Sequence, residues 1–125
     1  MAPPFVFFDL RTRDVAAARA FYTELFGWPV AELPMGGKQI PMFADESGPW
    51  AGFTPLTDGD DRAPQWVPYA QVDDLDKATE QATSLGATVV RERTDLPVGS
   101  LVVVNDPTGA TLVLWEPRAA MRAVP

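Results

Sequence analysis

The chain has 125 residues, 46% of them hydrophobic and 22% charged, which suits one folded domain and excludes wholesale disorder. Ten Lys and Arg against seventeen Asp and Glu leave a net charge of −7, so a polyanion such as nucleic acid is a disfavoured partner. The absence of both cysteine and histidine excludes disulfides, thiolate nucleophiles, Ser–His–Asp triads and His-ligated metal sites.

In chain order, Phe5-Val6-Phe7-Phe8-Asp9-Leu10 has the composition of a strand. Asp14 is placed to cap a helix. Ala16, Ala17, Ala18 and Ala20 favour that helix, and Val15, Phe21 and Leu25 are expected on its apolar face. Gly27 stops it. Short strands follow at 28–33, 39–44 and 51–55, and the polar stretch 57–64 reads as a connector. The pattern then restarts with a strand at 67–72. Asp73 or Asp74 caps a second helix bearing Leu75, Ala78, Ala82 and Leu85, and Gly86 ends it. Strands are expected at 88–91, 101–105 and 111–115, with a turn at Asp106-Pro107-Thr108-Gly109 and a short tail over 118–125. The prolines, 13 in all, are scattered and mark strand ends and turns. No apolar run is long enough to span a membrane, and the N-terminus lacks the pattern of a signal peptide, so a cytoplasmic location is expected.

The two halves are related by a shift of 59, which lays Asp14 on Asp73, Gly27 on Gly86, Phe8 on Val67 and Leu10 on Tyr69. An internal duplication of a strand–helix–three-strand unit accounts for this spacing. Two such units, 4–56 and 65–117, predict an α+β fold in which two tandem βαβββ modules form a curved, cup-shaped mixed sheet with the helices on the convex side.

Certain segments carry a family resemblance. They are Asp9-Leu10-Arg11-Thr12-Arg13-Asp14, then Ala20-Phe21-Tyr22-Thr23-Glu24-Leu25-Phe26-Gly27-Trp28, and in the second half Val72-Asp73-Asp74-Leu75-Asp76, Leu85-Gly86-Ala87, Asp106-Pro107-Thr108-Gly109 and Trp115-Glu116-Pro117. Together they resemble the vicinal oxygen chelate superfamily, the group of glyoxalases, bleomycin-resistance proteins and extradiol dioxygenases. The resemblance spans about residues 4 to 117 and implies paired βαβββ modules assembled as a homodimer. Metal-dependent members hold a divalent ion at four positions, which the resemblance lays on Phe8, Val67, Thr54 or Pro55, and Glu116. One carboxylate in four implies a metal-free member with no cofactor.

Strand alternation, with Phe8 facing the cup, predicts a concave lining of Phe8, Leu10, Met42, Phe53, Val67, Tyr69 and Leu114. Glu116 is then its lone charge and Trp50 a lid, while Trp28, Trp66 and Trp115 read as core. Asp73, Asp74 and Asp76 read as a helix start, Asp58, Asp60 and Asp61 as a solvated loop, and Gly36-Gly37 as a turn. Such a lining suits a hydrophobic or aromatic small molecule, with any cationic group on it paired to Glu116. Three readings follow. The first is a binding protein that sequesters an aromatic natural product or antibiotic. The second is a metal-independent isomerase, cyclase or lyase with Glu116 as general base and Tyr69 as proton donor. The third is a pseudo-enzyme or interaction domain without a small ligand.

Overall fold

The computed structural model describes residues 3–60 and 62–118; Asp61 of the acidic loop and positions 119–125 of the expected tail lie outside them. The first half runs β1 (Phe7–Thr12), α1 (Val15–Phe26), β2 (Val30–Met35), β3 (Lys38–Asp45) and β4 (Gly48–Pro55). The second runs β5 (Gln65–Gln71), α2 (Leu75–Ser84), β6 (Thr88–Leu96), β7 (Gly99–Asn105) and β8 (Thr111–Pro117). This is βαβββ twice over, an α+β chain whose strands pair in mixed fashion. Packing divides it into a unit of Phe7–Val67 and a second unit of the described residues on either side of that span.

In the first unit the strands lie in the order β2-β3-β4-β1. β1 and β4 run parallel, with Phe8 opposite Ala51 and Leu10 opposite Phe53, while β2–β3 and β3–β4 are antiparallel. The second unit repeats the scheme as β5-β8-β7-β6, with β5 and β8 parallel and Tyr69 opposite Val113. Here β7 lies antiparallel to both β6 and β8. Val6 joins this unit through its N–H, which donates to the Tyr69 carbonyl at 2.9 Å.

The helices begin where short polar side chains can satisfy their first amides. The Asp14 carboxylate accepts from Ala17 N–H at 2.9 Å and Asp74 accepts from Lys77 N–H at 3.1 Å. Asp74, not Asp73, is therefore the second cap. At the end of α1, Gly27 takes the left-handed conformation (φ 71°) and its N–H returns to the Thr23 carbonyl.

What each helix buries follows from its spacing. On α2, fully buried Leu75 is joined by Ala78 and Ala82 against Val102, Val104, Leu112 and Leu114. On α1 the inward stripe is Val15, Ala18 and Tyr22, whereas Phe21 and Leu25 are 56% and 59% exposed. Tyr22 displaces the expected pair because its ring has partners to meet: it lies edge-on to Phe43 (centroids 6.3 Å) and Trp66 (5.2 Å). Its hydroxyl accepts from Trp66 Nε1 at 3.0 Å. Trp50 enters the same cluster through a β-bulge. The pairing shifts by one residue between Phe43 and Ala44, which turns the Trp50 ring to stack on Phe43 (5.6 Å, 21°). The cluster is thus a hydrogen-bonded aromatic core between α1 and its sheet, not a lid.

Candidate functional site

Alternation along the strands assigns each side chain to the helix-covered face or to the opposite one. In the first unit the helix side is marked by Phe43, which touches Tyr22 and also Phe53 at 5.1 Å. Ala51 opposes Phe43, and Phe8 and Leu10 oppose Ala51 and Phe53, so all of these share that side. Phe8, Leu10, Phe53 and Trp50 are therefore core residues of the α1 side, contrary to the expected lining. The helix-free face carries the intervening residues Phe7, Asp9, Arg11, Met42, Gly52 and Thr54. Phe7 and Asp9 both flank Gly52, at 3.4 Å and 3.9 Å from where a Cβ there would sit.

That face holds a nearly buried charge cluster. Asp9 is 5% exposed. Its Oδ2 accepts from the Thr54 hydroxyl at 2.7 Å and from Arg11 Nε at 3.3 Å. Arg11 keeps a side-chain exposure of 15%. Burying a carboxylate is tolerable here because a cation and a hydroxyl both meet it. Sequence reasoning passed over the cluster because it put Phe8, not Asp9, on the expected concave lining. The available signal was Asp9 and Arg11, opposite charges two residues apart in an apolar strand, which must share a face and meet.

In the second unit the helix-free face carries Tyr69, Val113 and Trp115, with Leu101 and Val103 opposite Trp115 and Val113 on β7. The Tyr69 and Trp115 rings lie 5.9 Å apart at 52°. The six-membered ring of Trp115 covers Gly99: a Cβ at that glycine would fall 2.7 Å from Cη2 and Cζ2. Val67 lies on the same side of β5 as Tyr69, since neighbouring Trp66 points to Tyr22.

Leu114 and Glu116 alternate to the other side. Leu114 packs in the α2 core, and Glu116 Oε1 accepts from Leu75 N–H at 2.8 Å at the start of α2. There the carboxylate meets an unpaired helical amide and the positive end of the helix dipole. Glu116 and Tyr69 consequently lie on opposite faces of their strands and are not placed to act as an acid–base pair. Of the nine residues expected to line one cavity, Met42, Val67 and Tyr69 stand on helix-free faces.

A second polar group lies beside that cap. Arg93 bridges Asp76 and Asp95, each at 3.0 Å, and Asp95 accepts from the hydroxyl of buried Ser100 at 2.6 Å. Those bonds, the Ser100 one foremost, hold the Asp95 carboxyl below its ordinary range. Arg93, Asp95, Ser100, Glu116 and Arg118 border a shallow depression of about 470 Å³. Arg118 is fixed there by donating to the Leu96 carbonyl at 2.9 Å and to the Pro97 carbonyl.

The four positions on which the resemblance lays the family's ion do not come together here, since Phe8 and Glu116 lie on helix-covered faces. Phe8 and Val67 bring no donor atoms, the Thr54 hydroxyl is engaged by Asp9, and Glu116 is engaged by α2. Among the described residues, no group of three or more Asp or Glu side chains is arranged to share a metal. Among them, too, no helix is long and apolar enough to cross a membrane.

Comparison with known proteins agrees with this architecture. Residues 5–114 match the family model of the glyoxalase/bleomycin resistance protein/dioxygenase superfamily. A Mycobacterium tuberculosis protein named "Putative glyoxylase CFP32" is 34% identical over 113 residues, 86% of this chain and 43% of that protein. The anthracycline biosynthesis protein DnrV of Streptomyces peucetius is 32% identical over 124 residues, covering 87% of this chain and 45% of DnrV. The chain thus spans less than half the length of these curated relatives. Among solved structures, methylmalonyl-CoA epimerase of Streptomyces coelicolor superposes with a TM-score of 0.64 at 14% identity, over 95% of this chain and 100% of that one, a likeness of fold alone. With the duplicated βαβββ unit and a family match over nearly its whole length, the chain belongs to the glyoxalase/bleomycin resistance protein/dioxygenase superfamily.

Proposed function

We propose that this chain is a small-molecule-binding protein that holds a hydrophobic aromatic compound without a metal ion, and that it acts by sequestering that compound. The observation that carries the reading is the Tyr69–Trp115 pair on the helix-free face of the second unit, with Trp115 spread over Gly99. Tilted 52° to each other, the two rings let a planar ligand stack on one and meet the other obliquely, each contact contributing about 0.5–1.5 kcal/mol beyond area burial. Two further observations favour binding over catalysis. Histidine and cysteine are absent, and Glu116, the carboxylate best placed by sequence to act as a base, serves α2 instead. The relatedness to DnrV, an anthracycline biosynthesis protein, supports a polycyclic aromatic ligand.

Titration with an anthracycline, followed through tryptophan emission, tests this. The expected result is saturable quenching, with Tyr69→Ala weakening binding about 2- to 10-fold. Trp115→Phe should remove most of the ligand-dependent signal, because the other three tryptophans sit in the Tyr22 cluster. Absence of saturable binding across planar aromatic quinones would refute the reading, as would wild-type affinity in a folded Tyr69→Ala, Trp115→Ala double variant.

A further inference from the structure

Both hydrogen bonds to the Asp9 carboxylate fall on Oδ2. Among the described residues Oδ1 takes none, although the side chain as a whole is only 8% exposed. That oxygen lies toward Gly52, 3.9 Å from the position of a Cβ there, and the Phe7 ring borders the same spot at 3.4 Å. The lack of a side chain at position 52 therefore leaves an opening about the size of a methyl group beside that oxygen. Its floor is β4 backbone, one wall is an aromatic ring, and its edge is a carboxylate oxygen with an open acceptor site.

The charge balance decides what fits. Arg11 already neutralises Asp9, so the opening has no net charge to attract an ammonium group. A neutral donor is favoured, and a hydroxyl on a carboxylate forms a short, charge-assisted bond about twice as strong as a neutral one. The Phe7 wall favours a hydroxyl carried on an aromatic ring. We propose that Phe7, Asp9 and Gly52 form a subsite for a phenolic hydroxyl, which donates a hydrogen bond to Asp9 Oδ1 while Arg11 and Thr54 hold the carboxylate through Oδ2. This rests on the aromatic-ligand reading above and narrows the ligand to phenols.

Equilibrium titration of the whole chain with three probes of one shape tests it: 2-naphthol, its methyl ether 2-methoxynaphthalene, and the cationic 2-naphthylmethylamine. The wild type should bind 2-naphthol about tenfold more tightly than the ether, and the amine no better than the ether. Asp9→Ala should abolish that preference. Because Asp9→Ala can also disturb folding, Gly52→Ala serves as the second variant. Its added methyl makes ordinary contacts with Phe7 and Asp9, so the fold is kept while the opening is filled, and naphthol should fall to the affinity of the ether. Equal binding of naphthol and ether by the wild type, a preference for the amine, or a naphthol preference that survives in folded Gly52→Ala would overturn the subsite and leave the aromatic-binding reading standing. Failure of all three probes to bind would overturn both.

Discussion

Gly99 offers a sharp test of the second unit's geometry. A Cβ at this position would lie 2.6 Å from the Glu116 carbonyl oxygen and 2.7 Å from two ring carbons of Trp115. The oxygen cannot retreat cheaply, since Ser100 opposes Glu116 and Gly99 opposes Pro117 along the β7–β8 ladder. The indole cannot retreat without leaving Tyr69. Overpacking of this kind costs about 1–3 kcal/mol. Against it stands the stiffer unfolded chain, worth about 0.4–1 kcal/mol when Ala replaces Gly. The net expectation for Gly99→Ala is a loss of about 0–2.6 kcal/mol, or a fall in Tm of up to about 10 °C for a chain of this size. Urea unfolding measures it directly, an unchanged m-value showing that the midpoint shift reports stability rather than altered compactness. Gly52→Ala is the control, because its Cβ meets Phe7 at an ordinary 3.4 Å; it should be neutral or slightly stabilising. A Gly99→Ala protein with wild-type midpoint and unchanged Trp115 emission would refute the placement of that ring over the β7 backbone.

Three other changes probe distinct contacts. Glu116→Ala should cost about 0.5–2 kcal/mol through the lost acceptor at Leu75 N–H, while Glu116→Gln, which keeps an oxygen there, should cost less and leave ligand affinity untouched; chemical denaturation and titration separate the two effects. Tyr22→Phe strands the half-buried Trp66 indole N–H and should cost about 1–3 kcal/mol, with a shift in tryptophan emission; a neutral result would mean that water replaces the hydroxyl. The Thr108 hydroxyl, then the Ala110 and Thr108 amides, hold the Asp106 carboxyl below its ordinary 3.8. Its stabilisation is therefore complete above that value and lost as pH falls through the lower folded one. A urea midpoint that declines below about pH 4 in the wild type should decline less steeply in Asp106→Asn.

The order of strands and helices was legible because it rests on local chemistry: Asp14 and Gly27 bracket α1, Asp74 and Gly86 bracket α2, and Asp106-Pro107-Thr108-Gly109 turns β7 into β8. Which residues of β1 face away from the helix was not, because it depends on one residue of register. The spacing of the glycines gives a shift of 59, whereas the caps that start the helices, Asp14 and Asp74, are 60 apart. α1 has 12 residues and α2 has 10, so the repeats fall out of step inside the helices, not before them. Counting back from the caps aligns Phe7, not Phe8, with Val67, and with it Asp9 with Tyr69. A strand alternates with period 2, so that one-residue slip exchanged the faces of β1 and hid Asp9 and Arg11. It also hid the asymmetry between the units. At equivalent positions the first unit carries a carboxylate tied to Arg11 and Thr54, and the second an aromatic ring beside Trp115. The two units share one strand order, yet at these matching positions one carries a charged, hydrogen-bonded group and the other an apolar ring pair, a difference that only the strand register reveals.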